Sequence, residues 1–172
     1  MSDQGRYRRV YVRLWRHPAF RRLSPAAKNL TLYLLTGPQT NRIGLFPLSL
    51  ATATEDLQLS RKTILRAMAK TQAGFGWRFD VRAGVFYVSS WWRWNPPENA
   101  NVLKGNLKDL NEIPSSTLVD VFLSNLATLD ETYHQTFLEG CAKHSRIQEQ
   151  EQGTGKQEQE QIGVLRRSGI YS

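Results

Sequence analysis

Lys62, Thr63, Arg66 and Lys70 lie within nine consecutive residues, 62–70, that contain no Asp or Glu. Wound as a helix at about 100° per residue, Lys62, Thr63, Arg66, Ala69 and Lys70 share one side, and Ile64, Leu65, Ala67, Met68 and Thr71 share the other. A helix face left to solvent ordinarily mixes signs, because i,i+4 pairs of opposite charge support it. A face of one sign with small residues between the cations suits contact with phosphates, and Arg66 has the fork geometry to read guanine in a major groove. The plainer reading is a solvated, lysine-rich surface. Two more arginines follow in a stretch that alternates with period two: Trp77, Phe79 and Val81 point one way, and Arg78, Asp80 and Arg82 the other. Val81 facing Phe86 and Phe79 facing Val88 require a loop of two or four residues around Arg82-Ala83-Gly84-Val85, four being preferred. Arg82 then sits at or beside the hairpin tip and Arg78 on its outer face, so the expected DNA-binding set is Lys62, Thr63, Arg66, Lys70, Arg78 and Arg82.

The elements that must position these residues have clear start and stop signals. Ser24-Pro25 combines an N-cap with a proline at the first helical position, and Ala27, Leu30, Thr31 and Leu34 follow on one face until Gly37-Pro38. Asn41 to Phe46 reads as a turn and a very short strand. A second helix is expected from about Pro47, carrying Leu50, Ala51, Thr54 and Leu57, with a tight connection at Gln58-Leu59. Ser60 caps a third helix running to about Gln72. Helix, strand, helix, helix, strand, strand is the order of a winged helix-turn-helix, with the third helix in the major groove and the hairpin on the backbone or minor groove. The fold class expected is therefore α+β, mostly α. Trp91, Trp92 and Trp94 are expected to fold back over a small core rather than form a single-strand stacking platform, and Trp15 and Phe20 to be packing residues.

Charge divides the 172-residue chain in the same way. Residues 1–110 hold 18 basic and 6 acidic side chains, a net of +12, whereas residues 111–172 hold 5 and 9, a net of −4. A basic front suits a polyanionic partner. No apolar run approaches the roughly 18 residues of a membrane span, and the first residues lack a signal-peptide core, so a cytoplasmic location is expected. Cys141 is the only cysteine and His17, His134 and His144 the only histidines, which excludes an internal disulfide framework and argues against a structural metal site. There is no phosphate-cradling glycine loop or nucleophile elbow, and adjacent Glu55 and Asp56 diverge by about 100° on a helix. Neither an enzyme nor a cofactor is expected.

The stretch Trp15-Arg16-His17-Pro18-Ala19-Phe20-Arg21-Arg22-Leu23-Ser24-Pro25-Ala26-Ala27-Lys28 resembles the opening of the N-terminal winged-helix domain of phage replisome organisers, a family of replication initiation proteins. Tyr33 to Asn41, Ile43-Gly44-Leu45-Phe46, Asn95-Pro96 and Asn101-Val102-Leu103-Lys104-Gly105 fit the same pattern, so the similarity spans about residues 9–120. It implies binding of origin DNA through the third helix and wing, here Lys62, Thr63, Arg66, Lys70 and Arg82. In that family a later domain, similar to primosome proteins of the DnaD type, recruits the helicase-loading machinery. Only residues 162–172 follow the Gln/Glu-rich stretch, so a complete assembly domain of that kind is not expected. A winged-helix transcription regulator and a protein-interaction winged helix that does not bind DNA stand as alternatives.

Three regions follow: a winged helix-turn-helix domain over 6–95, a helical extension over 99–146, and a disordered tail over 147–172. Ten of the fourteen residues 148–161 are Gln or Glu, and none is apolar. In the extension, Val102, Leu103, Leu107 and Leu110 form one apolar stripe. Leu118, Val121, Phe122, Asn125 and Leu126 form a second, and Tyr133, Phe137 and Cys141 a third. Each stripe needs a partner, either the front domain's core or a second copy in a homodimer. The partners expected are double-stranded DNA and, from the resemblance, replication proteins such as a helicase or its loader, with no membrane.

Overall fold

The computed structural model describes residues 8–126, together with residue 136. The described part is mostly helical with one small antiparallel sheet. A 3₁₀ turn, Val12–Arg16, leads into the helices α1 (Pro18–Arg22) and α2 (Pro25–Thr36). Strand β1 (Leu45–Pro47) precedes α3 (Leu50–Leu57) and α4 (Arg61–Phe75), and β2 (Arg78–Asp80) and β3 (Val85–Tyr87) form a hairpin. A single turn, α5 (Trp91–Trp94), then leads to α6 (Ala100–Leu107), a 3₁₀ turn at Lys108–Glu112, and α7 (Thr117–Leu126).

The expected caps are in place. Ser24 Oγ accepts the Ala27 N–H at 3.3 Å and Ser60 Oγ accepts the Thr63 N–H at 3.2 Å. Such caps each stabilise by about 1 kcal/mol. The middle helix starts later than its first apolar residues suggest. Pro47 ends β1, and Ser49 caps α3 by accepting the Thr52 N–H at 3.2 Å. The connection from α3 to α4 turns on Gln58, which adopts the left-handed conformation at φ 53°. Helix α4 runs past Gln72 to Phe75, where Gly76 at φ 69° closes it. Helices α2 and α4 pack side by side, with the hydroxyls of Thr31 and Thr71 3.1 Å apart in their buried seam.

The sheet order is β1-β3-β2, antiparallel throughout. Its register differs from the expected one by two residues: Phe79 faces Phe86, and Asp80 faces Val85. The loop has the preferred four residues but comprises Val81 to Gly84, leaving Val81 63% exposed. The physical reason is Asp80, whose Oδ1 accepts the Arg82 and Ala83 N–H groups at 3.0 and 3.1 Å and starts the turn one residue before Val81.

Central β3 is buried on both faces. On one face Phe86 meets Phe46, Phe79 and Trp77, and Trp77 stacks in turn on Phe75 at the end of α4. On the other, Tyr87 meets Phe122 of α7 edge-on at 5.7 Å, and the Asn125 side chain donates to the Tyr87 hydroxyl at 3.1 Å. The stripes of α6 and α7 thus find their partner within the chain, where Leu103, Leu107, Leu110, Leu118 and Phe122 join the same core as α2 and α4, while Val102, expected in the first stripe, is left exposed. Asp109 ties this extension to the front. Its carboxylate accepts the Arg42 backbone N–H at 2.9 Å and pairs with the Arg42 guanidinium.

Trp91 and Trp92 are buried as expected, and the Trp91 indole donates to the Arg42 carbonyl at 2.8 Å. Trp94, expected to fold over the core with them, is only half-buried and lies outside it, because the α5 turn is too short to turn all three indoles inward. Phe20 is fully buried, but Trp15 is 57% exposed and covers only an edge of Phe20. Leu65, expected on the packed side of α4, is 38% exposed, because it lies at the margin of the stripe formed by Ile64, Met68 and Thr71. The stripe expected at Tyr133, Phe137 and Cys141 and the Gln/Glu-rich tail lie outside the described residues.

Candidate nucleic-acid interface

Helix α4 buries Ile64, Ala67, Met68 and Thr71, which turns Lys62, Arg66 and Lys70 outward. The i, i+4, i+8 spacing places these three cations in one slightly slanted row spanning about 12 Å along the axis. Ala69 and Ala73 are exposed on the same side. With no bulk beyond Cβ, they let the helix backbone come close to a flat or grooved partner. None of the three cations forms an ion pair with a described residue; the ion pair present among those residues is Arg42–Asp109.

Thr63 plays a different part from its neighbours. It is half-buried, its backbone N–H is held by Ser60 Oγ, and its hydroxyl lies 2.9 Å from the same oxygen. Its structural work is therefore at the helix start. Arg61, the first residue of α4, is exposed beside Lys62 and was not in the expected set. Its position directly after the Ser60 cap was the signal available, since the first turn of a helix projects freely.

Helix α4 is held in place by α1, α2 and α3. It packs along α2, and α3 is locked to α2 by a polar chain. The Tyr33 hydroxyl donates to Asp56 at 2.6 Å and accepts from Gln39 at 3.0 Å, while the Gln39 side-chain oxygen accepts the Ser49 N–H at 2.6 Å. Burial, then the bond to Asp56, push the Tyr33 phenol up to about 12. The Asp56 carboxylate is thereby engaged with α2.

Arg82 sits in the hairpin loop, exposed, with its backbone fixed by Asp80. Asp80 also accepts the Ser116 hydroxyl at 2.7 Å. The Ala83 N–H, then Ser116, hold its carboxyl below the usual range. Arg78 is exposed too, but strand alternation puts it on the same face as Asp80 and Tyr87, the face that α7 covers. The structure therefore brings Lys62, Arg66 and Lys70 together on α4, sets Arg82 at the end of the hairpin, and places Arg78 on the opposite side of the sheet from α4. No group of three or more potential metal ligands occurs among the described residues, and none of their helices is long and apolar enough to cross a membrane. Compared with known family models, curated proteins and solved structures, the chain matches none.

Proposed function

We propose that the chain is a winged-helix protein that binds double-stranded DNA, with α4 as the helix that enters the major groove and the β2–β3 hairpin as the wing. The observation that carries this reading is the exposed row of Lys62, Arg66 and Lys70, interleaved with alanines and free of ion pairs among the described residues. The element order, a three-residue turn between α3 and α4, and a hairpin following α4 support it. Arg82 at the hairpin loop supplies a further contact to the backbone. Replication initiation is the role supported by the resemblance to phage replisome organisers, and footprinting on DNA flanking the coding region tests it against a regulatory role elsewhere.

Titrating duplex DNA at several salt concentrations tests the binding. Four phosphate contacts, from Lys62, Arg66, Lys70 and Arg82, predict that log K falls with log salt with a slope of about −3.6. Reversing charge at Arg66 and Lys70 should weaken binding strongly and flatten that slope. A slope near zero in the unaltered chain, or unchanged binding in the charge-reversed variant, refutes the interface.

A further inference from the structure

A cavity of about 290 Å³ opens where the Val12–Arg16 turn, the end of α4 and the α5 turn meet. Among the described residues, Tyr11, Phe75, Trp77 and Trp94 wall it, Arg9, Arg13 and Arg93 supply charge, and no Asp or Glu lines it. The Arg13 guanidinium lies 3.8 Å from the centre of the Trp94 ring and 5.3 Å from that of Tyr11. The Arg93 guanidinium lies 5.1 Å from the same Trp94 ring. Both arginines are exposed, and neither forms an ion pair with a described residue.

Aromatic faces orient a guanidinium without neutralising it, so its full charge and N–H fork stay available to an anion. Aromatic rings open to a cavity beside such charges are the elements by which proteins hold unpaired bases: ring faces stack on the base and arginines meet the phosphate. The volume lies at the lower end of ligand pockets, which begin near 300 Å³. A space of this size matches one nucleotide rather than a base pair. We propose that this cavity holds a single nucleotide of a single-stranded nucleic acid, with the base against Trp94 and its phosphate on Arg13 and Arg93. Duplex binding by Lys62, Arg66 and Lys70 is a separate property, because those residues precede the Phe75 end of α4 and do not line the cavity.

The test uses the full chain, tryptophan fluorescence, and a labelled oligothymidylate, with thymidine monophosphate as a second arm. The oligothymidylate should quench the fluorescence and bind measurably. Trp94→Ala should weaken that binding by about tenfold or more. The double variant Arg13→Gln/Arg93→Gln alters only exposed side chains, so it keeps the test valid if Trp94→Ala fails to fold. It should weaken the same binding and flatten its salt slope by about 0.7 per phosphate contact. Duplex affinity should stay within about twofold in both variants. Three results would overturn the proposal: no oligothymidylate binding by the unaltered chain, binding unchanged in the arginine double variant, or quenching by thymidine monophosphate with none by the oligothymidylate, which would make this a mononucleotide pocket and not a strand site. Loss of oligothymidylate binding on charge reversal at Arg66 and Lys70 would also overturn it, by moving the strand onto α4. Failure of duplex binding with the oligothymidylate still bound would refute the duplex reading alone.

Discussion

Gly44 is the residue with the least room to change. Its backbone has φ 73°, and a β-carbon there would lie 2.4 Å from the Trp91 ring. Replacing it with alanine should destabilise the fold by about 3 kcal/mol or more, since conformational strain and a clash with a buried ring add. Gly84 shares the left-handed backbone at φ 64°, but the nearest atom to its added β-carbon is at 3.7 Å. Gly84→Ala should therefore cost only about 1–2 kcal/mol. Urea denaturation of the two variants side by side checks the contrast, and equal losses would refute the role given to Trp91. Tyr33 makes a prediction in pH. Its phenol is raised to about 12 by burial and by Asp56, so the unfolded chain releases this proton first as pH rises. The stability contributed is complete below about pH 10, the ordinary tyrosine value, and is lost between there and about 12. Denaturation followed across that window should show a fall that Tyr33→Phe reduces; an identical fall in the variant would mean that other groups cause it.

Among the elements, the hairpin is the one that a single carboxylate shapes. Asp80 holds the Arg82 and Ala83 N–H groups on one side and the Ser116 hydroxyl on the other. Asp80→Ala should release the loop and lower duplex affinity severalfold while leaving the α4 helical signal unchanged. Unaltered affinity would show that Arg82 needs no fixed loop. Because the carboxyl is held below the ordinary 3.8, its contribution is present above that pH and is lost only as pH falls through the lower folded value. The helices were legible in the sequence to within a few residues, because Ser24 and Ser60 are strong local caps and the stripes of α2 and α4 are regular. The hairpin register was not. Alternation gives the parity of the pairing, whereas the choice between Phe86 and Val88 opposite Phe79 depends on where Asp80 starts the turn. The outward row on α4 and the outward position of Arg78 were both legible from periodicity, but the covering of Arg78's face by α7 was not, because that helix lies some forty residues downstream. Periodicity along β2 carries no information about what covers it.

For the whole molecule, the break at Pro96-Pro97 marks a change in composition without ending the core. Phe122 is fully buried against Tyr87, on the far side of the sheet from Phe86. Phe122→Ala should cost about 3–5 kcal/mol. The loss should be felt in the α2–α4 core as well as in α7, so fluorescence and helical signals should melt together. Two separated transitions would show that the extension folds independently. Dissection of the chain is constrained by the same arrangement. A fragment ending at the double proline would retain Lys62, Arg66, Lys70 and Arg82, yet it would leave Leu45, Val85 and Tyr87 uncovered on a three-stranded sheet with open edges. Such a surface invites sheet-to-sheet association. The shortest fragment expected to stay monodisperse therefore reaches at least the end of α7, well past the boundary that composition alone would choose.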